Sequence, residues 1–186
     1  MISTSEFRKG TKIEYKEDPY EIIDFQHVKM ARGGAIVRSK IKNLRTGSII
    51  EGTFKGGERF NTPQLEEKTM QYLYKQADTY FFMDMESYEQ SSLTAGQLGD
   101  SKRFLRENME VRVLYYRGSP ITVELPMFVE LKIVQTAPDI RGDTATGGSK
   151  PAVLETGAII KVPLHLKEAD VVKVDTRTGE YIERVK

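Results

Sequence analysis

Apolar and polar positions alternate along this chain in short runs broken by Gly, Pro, Asn and Asp, the pattern of half-buried β-strands joined by tight turns. Ile23 and Phe25 alternate with Asp24 and Gln26. Val37, Ser39 and Ile41 alternate with Arg38, Lys40 and Lys42. The same pattern predicts strands over 48–54, 80–84, 110–116, 119–124, 129–135, 158–162, 171–175 and 181–185, with turns at Arg117-Gly118 and Arg177-Thr178-Gly179. One helix is predicted, capped by Asp100 and running through Leu105 to Met109, with Phe104 and Leu105 inward and Lys102, Arg103 and Arg106 outward. The polar, Gly-rich stretch 141–150 reads as a long loop.

Two interruptions divide the chain. Residues 55–63 are Gly-rich, polar and closed by Pro63, and Leu125-Pro126-Met127 breaks a later β run. The expected units are 1–64, 65–127 and 128–186. Each has about sixty residues, near the lower size for independent folding. Regular strands with almost no helix favour an all-β fold of three small barrels.

Composition removes whole classes of function. Cysteine is absent from the 186 residues, which excludes disulfides, thiol nucleophiles and thiolate metal sites and suits a reducing cytoplasm. No apolar run approaches the ~20 residues of a membrane span, and the first residues do not read as a signal peptide. The net charge is +1, but it is unevenly placed. Residues 1–64 carry 12 Lys/Arg against 8 Asp/Glu, residues 65–127 carry 7 against 10, and residues 128–186 carry 9 against 9. A basic first third is compatible with a nucleic-acid partner and equally with ordinary surface variation.

Enzyme chemistry finds no foothold. His27 and His165 are the only histidines and stand far apart, outside any metal spacing. Gly147-Gly148-Ser149-Lys150 lacks the spacing of a phosphate loop. Asp84, Glu86 and Glu89 read as solvated loop charges. No metal, cofactor or catalytic residue is expected.

Two features remain. Lys29-Met30-Ala31-Arg32-Gly33-Gly34 lies between two alternating segments and reads as a hairpin tip. Gly33 and Gly34 supply positive φ, and Arg32 at the apex cannot lose its charge. Arg38, Lys40 and Lys42, with Arg45 just beyond, would form a row spaced about 6–7 Å apart on one strand face, able to follow a phosphate backbone. A solvated turn and the wet side of an amphipathic strand account for the same residues. The aromatics Tyr72, Tyr74, Tyr80, Phe81, Phe82 and Tyr88 read first as the core of a small barrel and only second as a base-stacking platform.

Over its full length the chain resembles the elongation factor P family, itself related to the hypusine-bearing initiation factor 5A family. The resemblance rests on Phe7-Arg8-Lys9-Gly10 with Tyr20, on the hairpin region 27–53 with Thr46-Gly47, and on Pro126-Met127-Phe128-Val129-Glu130-Leu131. It extends through Gly142-Asp143-Thr144-Ala145, 147–152, 155–158, Val162-Pro163-Leu164 and 174–181. What it implies is an SH3-like or KOW-like first domain and two OB-like domains, arranged as an L that mimics tRNA. It implies a monomeric, cytoplasmic translation factor, not an enzyme. Such a factor binds the 70S ribosome between the P and E sites, contacts rRNA and the peptidyl-tRNA in the P site, and relieves stalling at consecutive prolines. Arg32 falls where the family carries its functional, usually modified, side chain. Lys29, Met30, Ala31, Gly33 and Gly34 then shape that loop, and Arg38, Lys40, Lys42 and Arg45 become tRNA or rRNA contacts. Gly142, Asp143 and Thr144 become a loop facing the small subunit and its messenger RNA.

The tip departs from the commoner family patterns. Many members have lysine there and receive a β-lysyl group; an arginine has no free amine to acylate. Another branch bears a rhamnosylated arginine, often followed by Asn, where this chain has Gly33, and Met30-Ala31 replaces a common Pro-Gly. A sugar added by a modifying enzyme and an unmodified tip both stay open. The other readings are a paralogue with a different task, a stand-alone RNA-binding OB module and, last, a small hydrolase.

Overall fold

A computed structural model describes residues 1–138 and 147–186. The first unit contains β1 (Ile2–Ser3), β2 (Lys12–Tyr15), β3 (Asp18–Lys29), β4 (Ala35–Asn43), β5 (Ile49–Lys55) and β6 (Arg59–Phe60). Strands β2 to β5 pair in sequence order as one antiparallel sheet, and β1 pairs with β6. The sheet curls because its inward positions carry large apolar groups that must meet: Phe7, Ile13, Ile22, Val37, Ile41, Phe54 and Phe60 form one buried cluster. Phe7 and Phe54 meet edge to face with centroids 6.1 Å apart, and Phe54 meets Phe60 at 4.9 Å.

The β3–β4 register shifts between Ile22 and Asp24, which makes Ile23 a bulge. The regular alternation expected over Ile23, Asp24, Phe25 and Gln26 is interrupted at Ile23 and kept at Phe25. Ile22 is the fully buried residue, and the bulge returns Phe25 to the inner face, where it packs against the core.

The second unit contains β7 (Glu66–Gln76), β8 (Thr79–Asp84), β9 (Gln90–Thr94), α1 (Ala95–Leu98), a 3-10 segment (Gly99–Phe104), β10 (Glu110–Tyr116) and β11 (Ser119–Glu124). The order is β11-β10-β7-β8-β9, with α1 packed against both β9 and β11. The expected helix over 100–109 is not formed. Helical structure begins earlier because Thr94 and Gln97 make a reciprocal capping box, and it runs out at Phe104. Phe104 and Leu105 are nonetheless buried, and Lys102, Arg103 and Arg106 exposed.

The third unit contains β12 (Phe128–Thr136), β13 (Ser149–Leu154), β14 (Ile159–Pro163), β15 (Val171–Asp175) and β16 (Tyr181–Val185), ordered β14-β13-β12-β15-β16. Residues 149 and 150, expected in a loop, open β13. Each unit has its own buried cluster. Among the described residues no helix is long and apolar enough to cross a membrane, and no group of three potential metal ligands occurs.

Candidate functional site

The hairpin of β3 and β4 is the longest two-strand feature of the first unit. Pairing runs from Tyr20↔Asn43 to Lys29↔Ala35, and β5 accompanies β4 only as far as Ile36↔Lys55. Beyond that point the chain turns through Met30, Ala31, Arg32, Gly33 and Gly34, and every residue from Lys29 to Ala35 is exposed. Gly33 and Gly34 adopt φ of +117° and +87°, with open space where a Cβ would stand. The glycines are needed for backbone conformation, not for room. Among the described residues neither Lys29 nor Arg32 makes a side-chain hydrogen bond or ion pair, so the charge at the tip is uncommitted.

The basic row on β4 is graded by its neighbours. Arg38 lies across from Gln26 and Thr53, both neutral. Lys40 lies between Asp24 and Glu51, a carboxylate on each side. Lys42 lies across from Glu21 and is half-buried; its ammonium donates to the Gln97 carbonyl of the second unit at 3.1 Å. Burial pushes the Lys42 ammonium below its ordinary value, against the opposing pull of Glu21 and Asp100. Arg45 donates to Asp18 at 2.8 Å, and this bond, with one from Asn43, holds the Asp18 carboxyl below the usual carboxylate range. Among the described residues, basic side chains of the hairpin that face no carboxylate across the sheet therefore gather toward the tip: Lys29, Arg32 and Arg38. A groove of about 480 Å³ is lined by Arg38 and Lys40 together with Phe25, Ser39 and Gly52.

The structure thus brings Lys29 to Gly34, Arg38 and Lys40 onto one projecting hairpin, and it places Lys42 and Arg45 at the hairpin's other end, engaged within the protein. Gly142, Asp143 and Thr144 lie outside the described residues. Gln97 is not among the residues expected at the site; it is 8% exposed and donates to carbonyls of both units. Its one legible signal is the capping pattern Thr94-Ala95-Gly96-Gln97.

Three family models match in succession: "Elongation factor P (EF-P) KOW-like domain" over residues 3–60, "Elongation factor P (EF-P) OB domain" over 65–123 and "Elongation factor P, C-terminal" over 129–184. The chain is 60% identical over 186 residues to elongation factor P of Thermodesulfovibrio yellowstonii, covering 100% of both chains. It is 55% identical over 184 residues to that of Moorella thermoacetica, covering 99% of this chain and 100% of the relative. Among solved structures, eukaryotic translation initiation factor 5A from Methanococcus jannaschii aligns with 64% of this chain and 88% of its own, at 19% identity and a TM-score of 0.47.

Proposed function

The chain belongs to the elongation factor P family, and from that premise we propose that it binds between the P and E sites of the 70S ribosome and speeds peptide bond formation at consecutive prolines. Membership makes it a translation elongation factor rather than an enzyme, and it implies ribosome binding. Identity of 50–60% to relatives of the same length weighs against a stand-alone RNA-binding module.

In this reading the ribosome makes the bond and the factor supplies position. Proline's ring fixes its backbone and narrows the geometries open to a prolyl donor or acceptor. A permanent cation set against the acceptor end of the peptidyl-tRNA favours the reactive arrangement, and orientation of this kind is a large lever on reaction rate. Arg32 is the tip cation. Met30, Ala31, Gly33 and Gly34 give the loop its shape. Lys29, Arg38 and Lys40 meet the phosphates of tRNA or rRNA, while Lys42 and Arg45, already bonded within the protein, hold the base of the hairpin. Gly142, Asp143 and Thr144 face the small subunit. The division at 64/65 and 127/128, a monomeric state and a cytoplasmic location belong to the same proposal. The tip is either bare or rhamnosylated, and the intact mass of protein from its native host separates these by one deoxyhexose.

The observation that carries the reading is the exposed guanidinium of Arg32 at the end of the β3–β4 hairpin, without a partner among the described residues. The test is reconstituted translation of a message encoding a run of prolines. The wild-type protein is expected to relieve the stall, and Arg32→Ala to lose most of that effect. Undiminished relief by the variant removes Arg32 from the mechanism.

A further inference from the structure

The other end of the same hairpin is built as carefully as the tip is left free. The turn after β4 is ordered from within. The Asn43 side-chain carbonyl accepts from the Arg45 N–H at 2.8 Å and the Thr46 N–H at 3.2 Å, and its amide donates to Asp18 at 3.0 Å. The turn therefore presents the carbonyls of Leu44 and Arg45 in fixed directions. Gln97 of α1 receives them. Its side-chain amide donates to Arg45 O at 3.0 Å and reaches Leu44 O at 3.5 Å, both in the first unit, and Pro120 O at 3.3 Å in the second. Its backbone carbonyl accepts from Lys42 in the first unit and from the Thr122 hydroxyl in the second.

Two further contacts close around this residue. A Cβ built on Gly47 would come within 2.5 Å of the Gly96 backbone, so the two backbones touch where no side chain fits. Leu44, fully buried, packs with Leu114, Tyr116 and Ile121 of the second unit. Directional bonds, backbone contact and apolar packing thus coincide in one small patch.

We infer that Gln97 is a positioning residue: by locking the first two units into one rigid arm, it fixes where the Arg32 tip stands. Leverage gives the lock its purpose. β4 spans nine residues between the tip and this patch, about 30 Å at ~3.4 Å per residue, so a tilt of about 5° at the patch moves the tip by about 2.6 Å. In oriented reactions a misplacement of about 1 Å can cost about 100-fold. The functional half of this inference rests on the reading given above; the mechanical half does not.

Because the chain has no cysteine, spin labels attach only where placed. Arg59→Cys in the first unit and Glu86→Cys in the second, both exposed, report the distance between units by pulsed electron paramagnetic resonance. The labelled protein is expected to give one narrow distance. Gln97→Leu is expected to broaden it and to cut relief of proline stalling by about tenfold, with the β circular-dichroism signal retained. Gly47→Ala, which forces the same patch apart from the other side, is expected to do likewise and stands in if Gln97→Leu fails to fold. Phe82→Leu, a destabilising change in the second core, serves as the contrast and is expected to alter neither readout. An unbroadened distance in both lock variants overturns the inference, and so does a broadened distance with full relief of stalling. If the unaltered protein relieves no stall, the functional reading fails while the distance measurement still decides the lock.

Discussion

The two junctions between units are held by different forces. At the first, directional hydrogen bonds converge on the buried Gln97 side chain beside the small Leu44 cluster. The second is a plug: Phe104, 1% exposed, leaves the second unit and sits in the core of the third with Leu131, Val172 and Val174, while Met109 and Leu125 pack against both cores. The polar bonds at this junction are spread around the plug and involve exposed groups: the Thr156 hydroxyl donates to Arg103 O, the Thr176 hydroxyl to Pro126 O at 2.7 Å and Arg106 to Glu130 O at 3.3 Å. Apolar burial is non-directional and scales with area, whereas hydrogen bonds fix angles. The first junction is therefore suited to hold an orientation, and the second to hold two bodies together.

The sharpest way to break the contrast is Phe104→Ala. Removal of a buried phenylalanine costs about 3–5 kcal/mol, and here the loss should fall on the third unit, with the first untouched. Unit-resolved hydrogen exchange reads this; equal loss of protection in all three units would show that the plug is not local. A smaller effect is expected at the first junction from Asp18, which steadies the turn through Arg45 and Asn43. Its carboxyl is held below the ordinary value in the folded protein, so its contribution is present above about pH 4 and is lost as pH falls through the lowered value. Asp84, held low by backbone N–H groups, and Asp175, held low by Arg177, lose stability in the same window. Only the difference between wild type and Asp18→Asn isolates Asp18. At most about 1 kcal/mol is expected, shrinking below pH 4; a difference that grows in acid contradicts the assignment. The smallest effect belongs to Arg32→Ala, which touches neither junction. Its stability should stay within about 0.5 kcal/mol of wild type in denaturant unfolding, so a larger loss would mean the tip is not free.

What the sequence could and could not reveal follows from where each signal originates. Strands 110–116, 119–124, 171–175 and 181–185 match the observed bounds because their alternation is regular. Strand β7 carries no such signal: Met70 and Tyr72 are its only buried residues, and a register shift between Tyr72 and Tyr74 breaks the alternation. Strand β9 buries Leu93 alone. The exposed tip at Arg32 is a local property and was readable. The carboxylates across from Lys40 were not, since they depend on a register that the Ile23 bulge resets. Nor was the burial of Lys42, whose partner Gln97 is fifty-five residues away.

The pairing order of the first sheet has a consequence for how the chain is made. Strands β2 to β5 pair only with neighbours in sequence, whereas the second sheet needs β10 to return to β7, Glu110 meeting Gln71. Local pairings close sooner, and synthesis delivers the N-terminal part first. The β2–β5 sheet is thus the early one to form, ahead of the β1–β6 pairing that joins Ile2 to Phe60, and pulse-labelling during refolding should find the Ile22 and Ile41 amides protected before those of Met70 and Val111. Until residues 114–121 leave the exit tunnel, Leu44 has no apolar cover, and the newborn hairpin waits with its anchor bare.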